Sequence, residues 1–165
     1  MNKSVTGILK YALSKEKEGQ KFYSSKLNDL KNEITKEIFS YLSEMENGHM
    51  DYISNLLDYY SEEKSTDNFD IHMDEFFDIR EITDITGSKI SDITDELPIV
   101  RMAYLIEDDF VKFYELTAEK TDDEKIKNIL LKLSEWEKNH RNILLNLYDE
   151  MKKQYWNEMG FEPLF

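Results

Sequence analysis

Apolar residues recur every three or four positions along four separate stretches of the chain, which is the period of an amphipathic helix. In the first stretch Leu9, Ala12, Leu13, Gly19, Gln20, Tyr23 and Leu27 share one face with Glu16, predicting a helix over about 5–27. Asn28 to Asn32 reads as a polar turn. Ile34, Ile38, Leu42, Met45, His49, Ile53 and Leu56, with Glu46 beside them, predict a second helix over 33–60. Gly48 falls inside it, at a cost of about 1 kcal/mol against alanine. Pro98 suits the first turn of a helix and opens a third over 98–119, whose stripe is Met102, Ala103, Ile106, Glu107, Phe110, Phe113 and Tyr114. Thr121-Asp122-Asp123-Glu124 has the form of a capping box, with Thr121 as the cap and Glu124 as its reciprocal partner. It starts a fourth helix, to about 155, along Ile126, Ile129, Leu130, Leu133, Trp136, Glu137, His140, Leu144, Leu147 and Met151.

Residues 61–97 lack this pattern, apart from a short helix expected over 70–82 on Ile71, Phe76, Phe77 and Ile79. So long a connection suits a crossover between parallel helices rather than a tight turn. The alternatives are a flap over the bundle or a segment exchanged with a second copy of the chain. The apolar tail, with Phe161, Leu164 and Phe165, is expected to pack on the bundle or on a neighbour.

The second pair of helices repeats the first. At a constant offset of 91 residues Ala12 matches Ala103, Phe22-Tyr23 matches Phe113-Tyr114, Leu42 matches Leu133, and Leu56 matches Leu147. Each half is one helical hairpin that cannot bury its apolar face alone, so the expected fold is all-α, a four-helix bundle with a long crossover between helices 2 and 3.

The same offset carries the candidate chemistry. Glu46-Asn-Gly-His49 is repeated as Glu137-Lys-Asn-His140, and Glu16 and Glu107 each lie 30 residues upstream of the matching glutamate. Residues three apart in a helix share a face, so each Glu-x-x-His aims a carboxylate and an imidazole the same way. One such motif in a glutamate-rich chain is a weak signal and is ordinarily a solvated face. Two in register, each with its upstream glutamate inside an apolar stripe, predict metal ligation by Glu16, Glu46, His49, Glu107, Glu137 and His140. Four buried carboxylates repel one another and lose hydration, and two divalent cations supply the matching charge. Carboxylate and imidazole donors without thiolate suit iron or manganese, with zinc as a substitute. His72 and the acids Glu44 and Glu135 read as surface residues. Tyr23 and Tyr114 lie seven residues after Glu16 and Glu107, on the same faces. The simpler account makes them core aromatics with satisfied hydroxyls; the other makes them hydrogen-bond partners of a ligand carboxylate, or redox-active phenols. Trp136 and Tyr52, which lack counterparts in the repeat, read as packing.

Composition narrows the choices. The 165 residues suit one domain with a substantial core, and only 5 Gly and 2 Pro argue against many short strands. A formal charge of −14 disfavours nucleic acid and anionic membranes as partners. The absence of cysteine excludes disulfides, catalytic thiols and cysteine-ligated iron within this chain. No apolar run is long enough to span a bilayer, and residues 1–10 lack a secretory pattern, so the expected location is cytoplasmic.

Through Glu16-Lys-Glu-Gly-Gln-Lys-Phe-Tyr23, Glu107-Asp-Asp-Phe-Val-Lys-Phe-Tyr114 and the two Glu-x-x-His motifs, the sequence resembles the rubrerythrin branch of the ferritin-like superfamily over nearly its whole length. That resemblance implies a non-haem di-iron centre that reacts with hydrogen peroxide or oxygen, an external electron donor of the rubredoxin type, and a homodimer. Two departures set the chain apart. It lacks the four-cysteine iron domain of rubrerythrins proper. Phe110 also stands where they carry an additional glutamate ligand, with Asp108 and Asp109 pointing elsewhere on the helix, so the resemblance is to stand-alone ferritin-like relatives. The expected function is therefore an oxidoreductase of peroxidase or ferroxidase type. A protein that binds, buffers or stores iron without turnover is the alternative, and an adaptor bundle that keeps the ligands without activity is the third reading.

Overall fold

The computed structural model describes residues 3–61 and 89–160, all in four helices and their short connections. They are α1 (Lys3–Lys26), α2 (Glu33–Ser61), α3 (Ile90–Glu119) and α4 (Glu124–Glu158). The all-α four-helix bundle expected from the periodicity is the fold observed. The segment 62–88, with His72 and the expected short helix, and the tail 161–165 lie outside the described residues. No described helix is long and apolar enough to cross a membrane.

Each repeat forms one hairpin. The helices pack closely within a hairpin, α1 on α2 and α3 on α4, while the hairpins meet along sparser seams, α1 with α3 and α2 with α4. The core has two apolar regions. One is built on Leu9, Ala12, Ile53, Leu56, Tyr114, Leu130 and Leu133. The other is built on Tyr23, Phe39, Leu42, Ile93, Val100, Leu144 and Leu147. Along every helix the charged stripe residue falls between members of the two regions: Glu16 between Ala12 and Tyr23, Glu46 between Leu42 and Ile53, Glu107 between Ala103 and Tyr114, Glu137 between Leu133 and Leu144.

Two helix starts differ from expectation. α3 begins at Ile90, eight residues before Pro98, and Pro98 lies inside it. Proline removes one N–H from the helix ladder, and its acceptor would be the Thr94 carbonyl. Both Pro98 and Thr94 are exposed, so that end of the ladder is open to solvent and the cost stays small. The added turns are held by long-range contacts. Ile93 is fully buried. The carboxylate of Glu96, also buried, accepts the backbone N–H groups of Lys31 at 2.5 Å and Asn32 at 2.8 Å. Asp92 and Asp95 flank the Lys31 ammonium at 3.4 and 3.3 Å. The start of α3 thus grips the α1–α2 turn, and the connection ends nearer 89 than 97. At the other corner the cap of α4 is Asp123, not Thr121: its carboxylate accepts from the N–H groups of Lys125 at 2.9 Å and Ile126 at 3.2 Å. Thr121 instead donates its hydroxyl to the Thr117 carbonyl at 2.7 Å, closing the end of α3. Asn32 caps α2, accepting from Ile34 and Thr35. Met102, placed in the α3 stripe by its spacing, is 52% exposed, because it lies one residue's rotation outside the line through Ala103, Glu107 and Phe110.

The Glu96 contact carries a prediction. Two backbone donors in the α1–α2 turn depend on one buried oxygen, and stranding a buried donor costs about 1–3 kcal/mol. Glu96→Ala is expected to lower stability by about 2 kcal/mol, a fall of about 4–8 °C in Tm for a domain of this size. Glu96→Gln keeps the acceptor and loses less than half of that. Equal falls for the two variants in thermal melts would contradict the role given to this oxygen.

Candidate metal centre

Six side chains from four helices converge between the two apolar regions. Glu16, Glu46, His49, Glu107 and Glu137 have no exposed surface, and His140 is 1% exposed. Glu46, His49, Glu137 and His140 each offer a donor atom within 4.8 Å of the others. Glu46 lies between both imidazoles, with one oxygen 3.2 Å from His140 Nδ1 and the other 3.6 Å from His49 Nδ1. Glu137 does the same, at 3.1 Å from His49 Nδ1 and 3.3 Å from His140 Nδ1. The other two carboxylates are one-sided. Glu16 reaches His49 Nδ1 at 3.1 Å, and Glu107 lies 3.8 Å from His140 Nδ1. The doubled sequence pattern therefore becomes a doubled site, with one imidazole and one private carboxylate on each side and two shared carboxylates in the middle.

The tyrosines lace the hairpins together. Tyr23 of α1 donates its hydroxyl to Glu107 of α3, and Tyr114 of α3 donates to Glu16 of α1. Both are fully buried core aromatics whose hydroxyls are satisfied, as the simpler account expects, and the partners that satisfy them are the clustered carboxylates. Burial first, and the neighbouring carboxylates second, push both phenols well above their usual range. They therefore stay protonated and act as donors. Trp136 also does more than pack. Its ring stacks on His49, with centroids 4.8 Å apart and 14° between planes, and His49 stacks in turn on His140 at 5.0 Å and 9°. Tyr52 meets Trp136 edge-on at 5.1 Å. Only one signal for this stack existed in the sequence, the position of Trp136 one residue before a Glu-x-x-His motif. Asp108 faces away from the centre and pairs with Arg141 at 2.8 Å and Lys112 at 2.6 Å; Asp109 is exposed.

The donor atoms fit a pair of cations better than they fit one another. Both oxygens of Glu46, both of Glu137, one of Glu107 and both ring nitrogens of His140 are buried with no hydrogen bond among the described residues. Native interiors rarely leave such groups unpaired without an ion, a water or a catalytic reason. In the metal-free chain protons take up the strain. Burial, with the Glu16 charge next, lifts Glu46 to about 7. Burial likewise lifts Glu107 to about 8. Burial also acts upward on Glu16, but hydrogen bonding and attraction from His49, with the hydrogen bond from Tyr114, outweigh it and bring Glu16 down to about 2. Burial alone would lower both imidazoles; the surrounding carboxylates more than reverse this and hold His49 and His140 well above the usual histidine value.

These shifts fix how the metal-free chain responds to pH. Groups raised in the folded state contribute stability that is present at low pH and lost as pH rises through the folded values. For Glu46 and Glu107 that loss runs through about 7 and about 8, and the histidines act in the same direction. Glu16, lowered, contributes in the opposite direction, its share disappearing only as pH falls below about 4.5 towards about 2. The chelator-treated protein is therefore expected to melt at a higher temperature at pH 6 than at pH 9. A melting temperature that climbs across that interval would contradict the assignment.

A helical bundle that closes around a doubled carboxylate–imidazole cluster belongs to the ferritin-like class, in which a Glu from each of two helices and a Glu-x-x-His from each of the others line the core. The Rubrerythrin family model matches residues 7–148, with a further match over 98–161, and the chain belongs to that family. No curated protein and no solved structure matches the chain.

Proposed function

We propose that this protein is a non-haem di-iron oxidoreductase that reduces hydrogen peroxide, with oxygen as a second oxidant and manganese as an alternative metal. The observation that carries the proposal is the set of unpaired donor atoms of Glu46, Glu107, Glu137 and His140 at one buried place. Glu16, Glu46, His49, Glu107, Glu137 and His140 would together hold the two ions. A ferrous pair held there would supply the two electrons that, with two protons, convert hydrogen peroxide to two waters. The chain itself does the rest. Tyr23 and Tyr114 fix the private carboxylates through hydrogen bonds that cross the seam between hairpins, so neither carboxylate swings freely. Trp136 fixes the plane of His49 by stacking. The buried surroundings keep bulk water out and strengthen each charge interaction. An outside one-electron donor, of the rubredoxin type, returns the centre to the ferrous state, since no thiolate iron can exist in a chain without cysteine.

Stopped-flow mixing of the ferrous-loaded protein with hydrogen peroxide tests this. Oxidation is expected to run at least about a hundredfold faster than for ferrous ion free in the same buffer. Oxidation no faster than that of free iron would leave a protein that binds iron without turning it over.

A further inference from the structure

The internal repeat also breaks its symmetry beside the centre between α1 and α3. Three residues after Glu16 stands Gly19, and three residues after Glu107 stands Phe110; at the offset of 91 they are counterparts. The two fit each other across the seam between α1 and α3. A Cβ added at Gly19 would lie 3.1 Å from Phe110 Cε2 and 3.5 Å from the carboxyl carbon of Glu46. The phenyl ring therefore occupies the space that a side chain on α1 would have filled, with the shared carboxylate Glu46 close by. Phe110 is 5% exposed, and it also lines a surface cleft of about 340 Å³, with Tyr11, Lys15, Glu18, Ile106, Asp109 and Phe113.

One ring thus lies between an open surface cleft and ligands that have essentially no exposed surface. The opposite seam is closed more firmly. There Trp136 stacks on His49, meets Tyr52 edge-on, and lies under the Lys132 ammonium at 5.3 Å. Around the ligands Tyr23 and Tyr114 tie the carboxylates in place. Phe110 faces a bare glycine on one side and an open cleft on the other, so rotation about its Cα–Cβ bond carries the ring into existing space without parting any helices. Side-chain rotation of this kind is fast compared with the separation of packed helices.

Resting on the metal reading above, the geometry points to Phe110 as the door to the centre: metal ions and a small hydroperoxide pass from the α1–α3 cleft when its ring swings out, and the ring sets the upper size of the oxidant. Asp109 lines the cleft with an exposed carboxylate, while Glu18 there is paired with the Lys15 ammonium at 2.7 Å. Hydrogen peroxide passes; an alkyl hydroperoxide with a bulky tertiary carbon does not. Either oxidant takes two electrons from the two ferrous ions and two protons, giving two waters in the first case and an alcohol and a water in the second.

Cobalt(II) uptake by the metal-free full chain, followed by the visible absorption of the bound ion, reads the door without any turnover. Phe110→Ala is expected to speed both uptake and chelator-driven release by about tenfold or more, leaving the dissociation constant nearly unchanged. On the ferrous-loaded protein, tert-butyl hydroperoxide is expected to oxidise the variant quickly and the parent chain slowly, while hydrogen peroxide oxidises both. Leu56→Ala removes a buried core side chain without opening the cleft, and is expected to leave uptake within about twofold of the parent. Should the alanine variant not fold, Phe110→Leu is expected to give the same order with smaller factors. Uptake indifferent to position 110, or accelerated equally by Leu56→Ala, overturns the door and points to general breathing of the bundle. A parent chain that takes up no cobalt overturns the metal reading itself, and the door with it.

Discussion

Glu46→Gln is expected to make the metal-free protein more stable at pH 8, by about 1–4 kcal/mol, while destroying its capacity to hold two ions. Glu46 is fully buried, and neither of its oxygens has a hydrogen-bond partner among the described residues. Burial and the Glu16 charge have already lifted it to about 7, so at pH 8 it is largely ionised in a place that disfavours the charge. Glutamine keeps the shape and removes the charge. For a domain of this size the gain corresponds to a Tm higher by about 2–16 °C. The gain should shrink at pH 5, where Glu46 carries its own proton. Metal affinity should fall by more than about a hundredfold, since a shared ligand is lost rather than an outer partner. A purely structural residue behaves in the opposite way, and thermal melts of the variant at the two pH values separate the cases. A variant less stable than the parent at pH 8 would show that Glu46 is there to hold the fold together.

The second large effect is stabilisation by metal. Anything that binds the folded chain and not the unfolded one adds about 4 kcal/mol at a thousandfold excess over its dissociation constant. Two such sites, at about 2–4 °C per kcal/mol, predict a rise of at least about 10 °C in Tm on adding ferrous, manganous or zinc ion anaerobically. Protons must leave as the ions enter. Below pH 7 those on His49, His140, Glu46 and Glu107, all raised in the metal-free state, are displaced, so the shift should be larger at pH 8 than at pH 6. Calcium, which prefers six or more oxygen ligands, should have little effect. Melting curves indifferent to every transition-metal ion would favour the adaptor reading of the sequence.

The sequence revealed the centre more fully than it revealed the helix ends, and there is a physical reason. A buried carboxylate in an apolar stripe is costly, so four of them at one offset of 91 residues cannot be chance, and each of the six expected donors lies in the cluster. Helix ends are set by single contacts whose partners lie far away in the chain. Nothing in the spacing marks Glu96, and its bond across 64 residues to Asn32 is among the contacts that let α3 start so early. Proline suits the first turn of a helix, so its position alone predicts a start at Pro98. It sits mid-helix because its missing N–H falls on a wetted face. Asp123 and Thr121 are both good caps, and their order along the chain does not say which one the turn will use. Met102 shows the limit of spacing alone, since one residue's rotation separates the core from solvent. The stack of Trp136 on His49 was beyond periodicity altogether, because it depends on which way two rings turn between helices.

Counting the ions decides most. Protein purified without oxygen or chelator, quantified by elemental analysis against amino-acid analysis, is expected to hold two transition-metal ions per chain, and paired substitution of Glu46 and Glu137 by alanine is expected to remove both together. Two ions bound in the parent and still bound in the paired variant, or no ion taken up by the parent under any loading condition, would mean that these buried carboxylates and imidazoles are gathered for some other purpose.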